Sequence, residues 1–435
     1  MNLDRTLRSR LTAAGQEFLW DWLEQLEPAK REKLLRQLDT IDLDLVTRLG
    51  RGEGLAQPPS GNLEPLPYIP DSDRGSATPA AHRGAQALRE GRVAFAMLAG
   101  GQASRLRYDG PKGAYPIGPV SERSLFRILT EQVLRARRDF GVLPLLAVTT
   151  SSTTDAATRH FYESHDCFGM DRDSLVFSSQ ASLPALDDEG RLILGSPDRI
   201  FTSPDGHGGA VVALDRDGVL AAWEERGIEV VCTFQVDNPV LRVVDPDFLG
   251  RLLDGAAPIA TKIVLKTDPA EKVGVIVRQG GRPAIVEYSE LSKEQQRQRD
   301  DDGQLTYRLG SIAVHAFDLK FLRGVLGSEM PLHTARKDIR CVDENGQAIR
   351  RPGTKFERFL FDLLPQADDI TVVEVDRGLE FAPLKNAVGA DSPESVRQAL
   401  LAQYRRWYEE AGRTAPADDL IELSPLDAMG PADLC

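Results

Sequence analysis

Two glycines followed by two cations are the first residues in the sequence whose types and spacing could do chemistry. Gly100 and Gly101 follow the apolar run 92–98 after a single alanine, and Arg105 and Lys112 come a few residues later. Because glycine carries no side chain, backbone N–H groups there can approach a nucleotide closely, and the two positive charges suit a triphosphate. The spacing fits neither a P-loop nor a dinucleotide fingerprint. An ordinary tight turn with surface charges is the alternative.

A carboxylate follows a second apolar run. Asp237 comes directly after the run 230–236. Mg²⁺ usually takes one or two protein carboxylates and completes its octahedron with phosphate and water oxygens. Asp237 is therefore a candidate metal ligand beside phosphate, and a simple turn at the end of a strand is the alternative.

Two further segments could contact a substrate. Three glycines fall within residues 203–209, where the backbone could wrap a base or ribose, or could form only a flexible loop. His207 in this segment is a weak candidate for a general base. Lys385 is flanked by apolar residues, so it is either a phosphate ligand or a solvated surface group.

The elements that must position these residues follow from the pattern of apolar residues. Short apolar runs alternate with helix-length segments, which predicts an α/β fold with a largely parallel sheet covered on both faces. The runs lie at 92–98, 143–149, 230–236 and 259–265. Residues 273–278 and 284–288 flank a glycine pair and predict an added hairpin. In such sheets ligands bind outside the carboxyl ends of the strands, where the candidate residues lie.

Helical patterns occur in the first fifty residues and again before a loose C-terminal tail. Apolar spacing in the first fifty residues predicts helices, with Pro28 at the start of one of them. Residues 50–82 are rich in Pro, Gly, Ser and Asp and predict a linker or a long irregular segment, whereas 393–409 predicts an amphipathic helix. We therefore expect a helical N-terminal domain with its linker over 1–90, a catalytic domain over 91–370, and a small C-terminal domain with a tail over 371–435.

Composition limits the classes of function. The chain has 435 residues with 53 Lys and Arg against 66 Asp and Glu, a formal net charge of −13. This acidic balance argues against nucleic acid as a partner. No apolar stretch approaches the roughly 20 residues that span a bilayer, so we expect no membrane association. The four scattered cysteines suit a reducing, cytoplasmic compartment.

Taken in order, the motifs resemble one family. The chain is similar to the UDP-N-acetylhexosamine pyrophosphorylases, which belong to the wider UDP-sugar pyrophosphorylase group. The resemblance covers nearly all of the chain. The matching segments are LAGGQASRL at 98–106, PKG at 111–113, Gln180, PDGHGG at 204–209, VDN at 236–238, KTDP at 266–269, VEYSE at 286–290, GSI at 310–312, FERF at 356–359 and FAPLKN at 381–386.

The resemblance implies a glycosyltransferase-A-like nucleotidyltransferase domain that joins UTP and a sugar 1-phosphate, with Mg²⁺, into a UDP-sugar and pyrophosphate. By position, Arg105, Lys112 and Lys385 would be catalytic and Asp237 would bind the metal. The residues implied to contact the nucleotide are Gly100, Gly101, Gln180, Pro204, Gly206 and His207. Those implied to line the sugar pocket are Gly274, Glu287, Ser311, Phe359 and Phe361.

Several positions depart from the family pattern: Ala103 and Tyr108 lie in the first loop, where the family usually has glycine, and two others lie in the implied substrate contacts. His207 and Ser311 both stand where the family usually has Asn. A hydroxyl cannot present the paired donor and acceptor of an amide, which bears on sugar preference. N-acetylglucosamine 1-phosphate is the expected substrate, with glucose or galactose 1-phosphate as the alternative. A non-catalytic nucleotide-sugar-binding protein and a glycosyltransferase are the remaining hypotheses, although the latter normally carries an Asp-x-Asp pair where this chain has Asp237 and Asn238.

Overall fold

The structure is a computed structural model that describes residues 5–56, 61–327, 329–417 and 421–435. The α-helices of this described part are α1 (Arg5–Ala13), α2 (Phe18–Gln25), α3 (Pro28–Leu38), α4 (Leu43–Gly50), α5 (Pro79–Arg89), α6 (Leu125–Phe140), α7 (Asp155–Ser164), α8 (Gly206–Arg216), α9 (Val219–Glu225), α10 (Pro246–Leu253), α11 (Lys293–Arg297), α12 (Leu319–Leu326), α13 (Arg377–Glu380) and α14 (Pro393–Glu410).

The β-strands of the same residues are β1 (Leu63–Glu64), β2 (Val93–Leu98), β3 (Leu145–Ser151), β4 (Leu175–Gln180), β5 (Ser182–Pro184), β6 (Leu194–Ser196), β7 (Arg199–Ile200), β8 (Thr202–Pro204), β9 (Val230–Gln235), β10 (Ile259–Leu265), β11 (Val275–Gln279), β12 (Arg282–Val286), β13 (Leu309–Asp318), β14 (His333–Val342), β15 (Ala348–Glu357) and β16 (Thr371–Glu374).

A mixed sheet forms the centre of the fold. Its strands run in the order β1-β11-β13-β9-β2-β3-β4, with β10 and β16 joined through β13 and β12 joined to β11. The strand β2 pairs in parallel with β3 and β9, and Leu98 lies opposite Thr149 on one side and Gln235 on the other. Every residue of β2 and β3 is buried, as continuous apolar runs predict. The predicted α/β class is confirmed.

The strand β13 introduces the antiparallel part of this sheet. It pairs antiparallel with β9 and with β10, and β11 with β12 forms the predicted hairpin. Ala313 has a positive φ of 57°, and the β10–β13 register shifts between Thr261 and Ile263. Such a bulge bends a strand and re-aims the side chains beside it.

The chain divides into two compact units. The first comprises Met1–Pro58, Gln180–Val211 and Glu329–Leu360, and the second comprises Pro59–Ser179, Val212–Ser328 and Phe361–Cys435. In the first unit the apolar sides of the N-terminal helices pack on Leu183, Leu192 and Phe356. The second unit contains the mixed sheet and the largest apolar core. The predicted boundaries at 90 and 370 stay predictions.

The N-terminal helices and α14 agree with the sequence, and α3 begins at Pro28 as expected. The linker prediction for 50–82 is wrong in part, because Leu63–Glu64 pairs with β11 and α5 begins at Pro79. Thr78 caps α5 by accepting a hydrogen bond from the backbone N–H of Ala81. Part of the predicted linker, 57–60, lies outside the described residues. Among those that are described, no helix is both long and apolar enough to cross a bilayer.

Candidate active site

The glycine turn after β2 is held from two sides. Ser151, at the end of β3, donates its hydroxyl to the carbonyl of Gly100 at 2.7 Å. The backbone N–H of Lys112 donates to the carbonyl of Gly101 at 3.0 Å, so the loop 101–112 folds back on itself. A Cβ added at Gly101 would meet nothing within 4 Å. The backbone of this turn is therefore open while Lys112 is fixed beside it.

Lys112 and Asp237 form an ion pair at the carboxyl ends of β2 and β9. Lys112 Nζ lies 2.9 Å from Asp237 Oδ2, and the two side chains are 17% and 18% exposed. Parallel pairing brings these ends together, because the N–H of Val236 donates to the carbonyl of Leu98 at 3.1 Å. The structure thus joins a cation and a carboxylate that lie 125 positions apart in sequence.

The segment that carries Lys385 lies against the same carboxylate residue. The N–H of Leu384 donates to the backbone carbonyl of Asp237 at 2.8 Å, while the Lys385 side chain is exposed. Arg105 belongs to a short 3₁₀ turn, Ser104–Leu106, on the glycine loop. It is exposed and forms no ion pair with any residue that the structure describes. Gly101, Lys112, Asp237 and the Lys385 segment are therefore together, with Arg105 on the adjoining loop.

Asp237 is the carboxylate of this cluster that fits a metal ion. Within the described ranges no three His, Cys, Asp or Glu side chains are grouped as a metal cage. A single carboxylate beside an open glycine turn is compatible with Mg²⁺, which draws its other ligands from phosphate and water. Lys112 contacts Oδ2 of Asp237. The donor set thus fits a metal ion that arrives with its phosphates.

The predicted sugar-pocket residues of the second unit are also neighbours. The N–H of Ser311 donates to the carbonyl of Gly274 at 2.9 Å. A Cβ built on Gly274 would lie 3.3 Å from Oε1 of Glu287. The Ser311 hydroxyl accepts a hydrogen bond from the N–H of Ala313 at 3.3 Å, across the bulge in β13. Phe361 lies in a separate 3₁₀ turn, Leu360–Gln366.

The glycine-rich segment of the first unit is the start of a helix. Pro204 ends β8 and Gly206 begins α8, so the flexible-loop interpretation of 203–209 is wrong. Gly206 has a φ of +87°, and a Cβ there would lie 2.3 Å from the carbonyl oxygen of Arg358. The guanidinium of Arg358 in turn pairs with the buried Asp205 at 2.9 Å. Close packing on this backbone explains why glycine is needed at 206.

His207 packs against Phe359, which was predicted to line the sugar pocket and lies in the same unit. Its ring stacks on Phe359 with 5.3 Å between centroids, and Nδ1 accepts a hydrogen bond from the N–H of Leu360 at 2.9 Å. Burial lowers the pKa of His207 to about 4, and His333 adds to that shift. Because Nδ1 is already an acceptor, this nitrogen is not available as a general base. Gln180, predicted to contact the nucleotide, is buried at the end of β4.

A buried charge network next to the Lys385 segment was missed from the sequence. Lys262, on β10, is fully buried and bonds Glu380 at 2.6 Å and Asp245 at 2.8 Å. A lysine inside the apolar run 259–265 was the available signal, because a buried ammonium needs partners. Nothing in the spacing indicated which carboxylates those partners are.

The site combines a glycine turn, a lysine–aspartate pair and a second lysine segment at the edge where parallel strands end. This arrangement is that of a nucleotide-binding α/β protein. The family model described as UTP–glucose-1-phosphate uridylyltransferase matches residues 73–423. The chain belongs to this family.

Similar proteins have names of the same kind. The chain is 35% identical to UDP-N-acetylglucosamine diphosphorylase 2 of Arabidopsis thaliana, over 94% of this chain and 85% of that protein. It is 36% identical to the human UDP-N-acetylhexosamine pyrophosphorylase-like protein 1, over 95% and 87% of the two chains. A solved uridine diphosphate N-acetylglucosamine pyrophosphorylase from Trypanosoma brucei superposes with a TM-score of 0.78 at 30% identity, covering 94% of this chain and 87% of that one.

Proposed function

We propose that this chain is a uridylyltransferase that converts UTP and N-acetylglucosamine 1-phosphate into UDP-N-acetylglucosamine and pyrophosphate. The observation that carries the proposal is the Lys112–Asp237 pair, which lies beside the Lys385 segment and a glycine turn that is open at Gly101. Family membership and the names of the relatives support the same reaction.

The reaction requires the protein to align two substrates and to stabilise their negative charge, and it requires no protein nucleophile. A phosphate oxygen of the sugar phosphate attacks the α-phosphorus of UTP, and the bond from that phosphorus to the bridging oxygen of pyrophosphate breaks. Two polyanions that repel each other must therefore be aligned. In the proposed mechanism, Arg105 and Lys112 stabilise the departing pyrophosphate, and Lys385 holds the sugar phosphate. The Lys112–Asp237 pair holds the ammonium at the turn before the nucleotide arrives, so little reorganisation remains during the reaction.

Asp237 is the residue that we propose holds Mg²⁺, which when bound would neutralise part of the phosphate charge. We expect EDTA to abolish turnover and added Mg²⁺ to restore it. We also expect Asp237→Asn to raise the Mg²⁺ concentration needed for half-maximal rate, because a neutral amide is a weaker ligand than a carboxylate. Turnover that is insensitive to EDTA would remove the metal from the proposal.

The sugar is the part of the proposal with a competing candidate. Ser311 uses its hydroxyl to accept the Ala313 N–H, and its short side chain has no amide to offer an N-acetyl group. This observation favours glucose or galactose 1-phosphate as a second candidate substrate. We propose a panel of sugar 1-phosphates with UTP, measured by pyrophosphate release. Highest kcat/KM with N-acetylglucosamine 1-phosphate supports the first candidate, and UDP-sugar binding without turnover of any member refutes the enzyme.

We also propose that the protein works in the cytoplasm and that nucleic acid is not among its partners. All four cysteines lie in described residues and are free thiols, which suits a reducing compartment. The net charge of −13 supports small anionic substrates bound by a local cluster of cations over a phosphate backbone bound by a broad basic face.

A further inference from the structure

A buried amide in the loop after β9 bonds the backbone of the segment that carries Lys385. Asn238 is 4% exposed, and its Nδ2 donates to the carbonyl of Glu380 at 2.7 Å. Its Oδ1 accepts the N–H of Ala382 at 3.1 Å. One side chain thus bonds a carbonyl and an N–H of the same backbone segment. Among the side chains of its size, only an amide offers a donor and an acceptor in this fork.

The backbone around Asn238 is fixed from beneath. The Glu380 side chain accepts from the fully buried Lys262, which also donates to the carbonyl of Arg242 at 3.0 Å. Gln403, on α14, donates to the carbonyl of Leu379 at 2.7 Å and to that of Val240 at 2.9 Å. Asn238 therefore meets a carbonyl whose position is already set. Fixing the register of neighbouring segments is the best-attested use of buried polar and ionic groups.

Lys385 depends on this backbone for its position. Its ammonium makes no hydrogen bond or ion pair with any residue in the described ranges, and its own N–H donates to the carbonyl of Asp391 at 2.7 Å. The preceding residue, Leu384, is bonded to the carbonyl of Asp237. The side chain is exposed and flexible, so the backbone hydrogen bonds of Leu384 and Lys385 fix the Cα position from which the ammonium reaches.

We propose that Asn238 is a positioning residue that sets the register of the 379–385 segment against Asp237, and so places Lys385 for the sugar phosphate. The catalytic part of this role rests on the proposed function. The structural part is independent of it, because the amide would hold the segment whether or not a substrate is turned over.

A double-mutant cycle tests the catalytic part. We expect Asn238→Ala to lower kcat/KM for the sugar 1-phosphate by roughly ten- to a hundredfold, as misplacement by about 1 Å does. KM for UTP should change less. In a Lys385→Ala background the same substitution should change kcat/KM by no more than about twofold, because the group that it positions is gone. Equal losses in both backgrounds would overturn the proposal.

Hydrogen exchange tests the structural part without any turnover. Asn238→Ala should speed exchange of the Ala382 and Leu384 N–H groups, while circular dichroism stays that of the folded protein. The matched control is Gln16→Ala, which removes another buried amide that accepts the N–H of Leu192 and donates to the carbonyl of Gly190. It should leave Ala382 and Leu384 unchanged. Unaltered exchange in Asn238→Ala would overturn the positioning role. Absence of turnover in the wild-type protein would instead refute the proposed function, and the exchange rates would still test the structural role of Asn238.

Discussion

The half-buried and hydrogen-bonded imidazole of His207 should make the protein lose stability as the pH falls below neutral. Nδ1 of His207 accepts the N–H of Leu360, and a proton on that nitrogen would place two donors against each other. Burial lowers the pKa of His207 from 6.5 to about 4, with a further contribution from His333. The unfolded chain therefore takes up a proton between these two values that the folded chain does not. The stability contribution is present above pH 6.5 and is lost as the pH falls through this window.

The size of the effect follows from the two pKa values of His207. One pKa unit corresponds to about 1.4 kcal/mol, so the free energy of unfolding should fall by about 2 kcal/mol by pH 5 and about 3 kcal/mol by pH 4. These figures are upper bounds, because the residue keeps partial exposure. The variant His207→Asn has no imidazole to protonate, so its stability should depend less steeply on pH.

Urea unfolding at pH 7 and pH 5 measures the difference directly. We expect wild type to lose more of its free energy of unfolding between these pH values than His207→Asn does, by up to about 2 kcal/mol. His82→Asn removes an exposed imidazole from α5 and is the matched control. If His207→Asn lost as much stability as wild type, protonation of His207 would not be the cause of the loss.

Three further substitutions test other contacts. Ser311→Asn should raise kcat/KM for N-acetylglucosamine 1-phosphate relative to that for glucose 1-phosphate by about tenfold, measured by pyrophosphate release. An unchanged ratio would show that Ser311 does not determine the sugar preference. Gly250→Ala should lower the free energy of unfolding by about 1–3 kcal/mol, because its Cβ would lie 1.7 Å from a backbone oxygen of α5; Gly324→Ala, which meets nothing within 4 Å, should be tolerated. Arg358→Met leaves the buried Asp205 without its cation and should cost about 3–5 kcal/mol in urea unfolding, and a cost near zero would count against that pair.

The strands that build the site could be predicted, because a strand that is buried on both faces is a continuous apolar run in the sequence. The runs at 92–98 and 230–236 became β2 and β9 with little change in their ends. The antiparallel course of β13 could not be predicted, because strand direction depends on partners distant in the chain. The start of α5 was readable from Thr78 before Pro79, but the surrounding Pro- and Gly-rich composition favoured a linker.

Within the site, the residues at the ends of parallel strands were predictable and their fine contacts were not. The position of Asp237 after β9 and of the glycine turn after β2 follows from the shared edge of parallel strands. That Lys112 reaches Asp237 depends on how the loop 101–112 folds back, which no local pattern encodes. The pairing of Lys262 with Glu380 spans 118 positions and depends on tertiary structure alone.

The most direct test of the central claim is the rate of pyrophosphate release from UTP and N-acetylglucosamine 1-phosphate by Lys112→Ala. Lys320→Ala, which removes an exposed lysine from α12 of the same unit, is the control. We expect a fall of roughly 10²–10³ in kcat for Lys112→Ala with its fold retained, and a rate close to wild type for Lys320→Ala. Wild-type turnover by folded Lys112→Ala would contradict that claim.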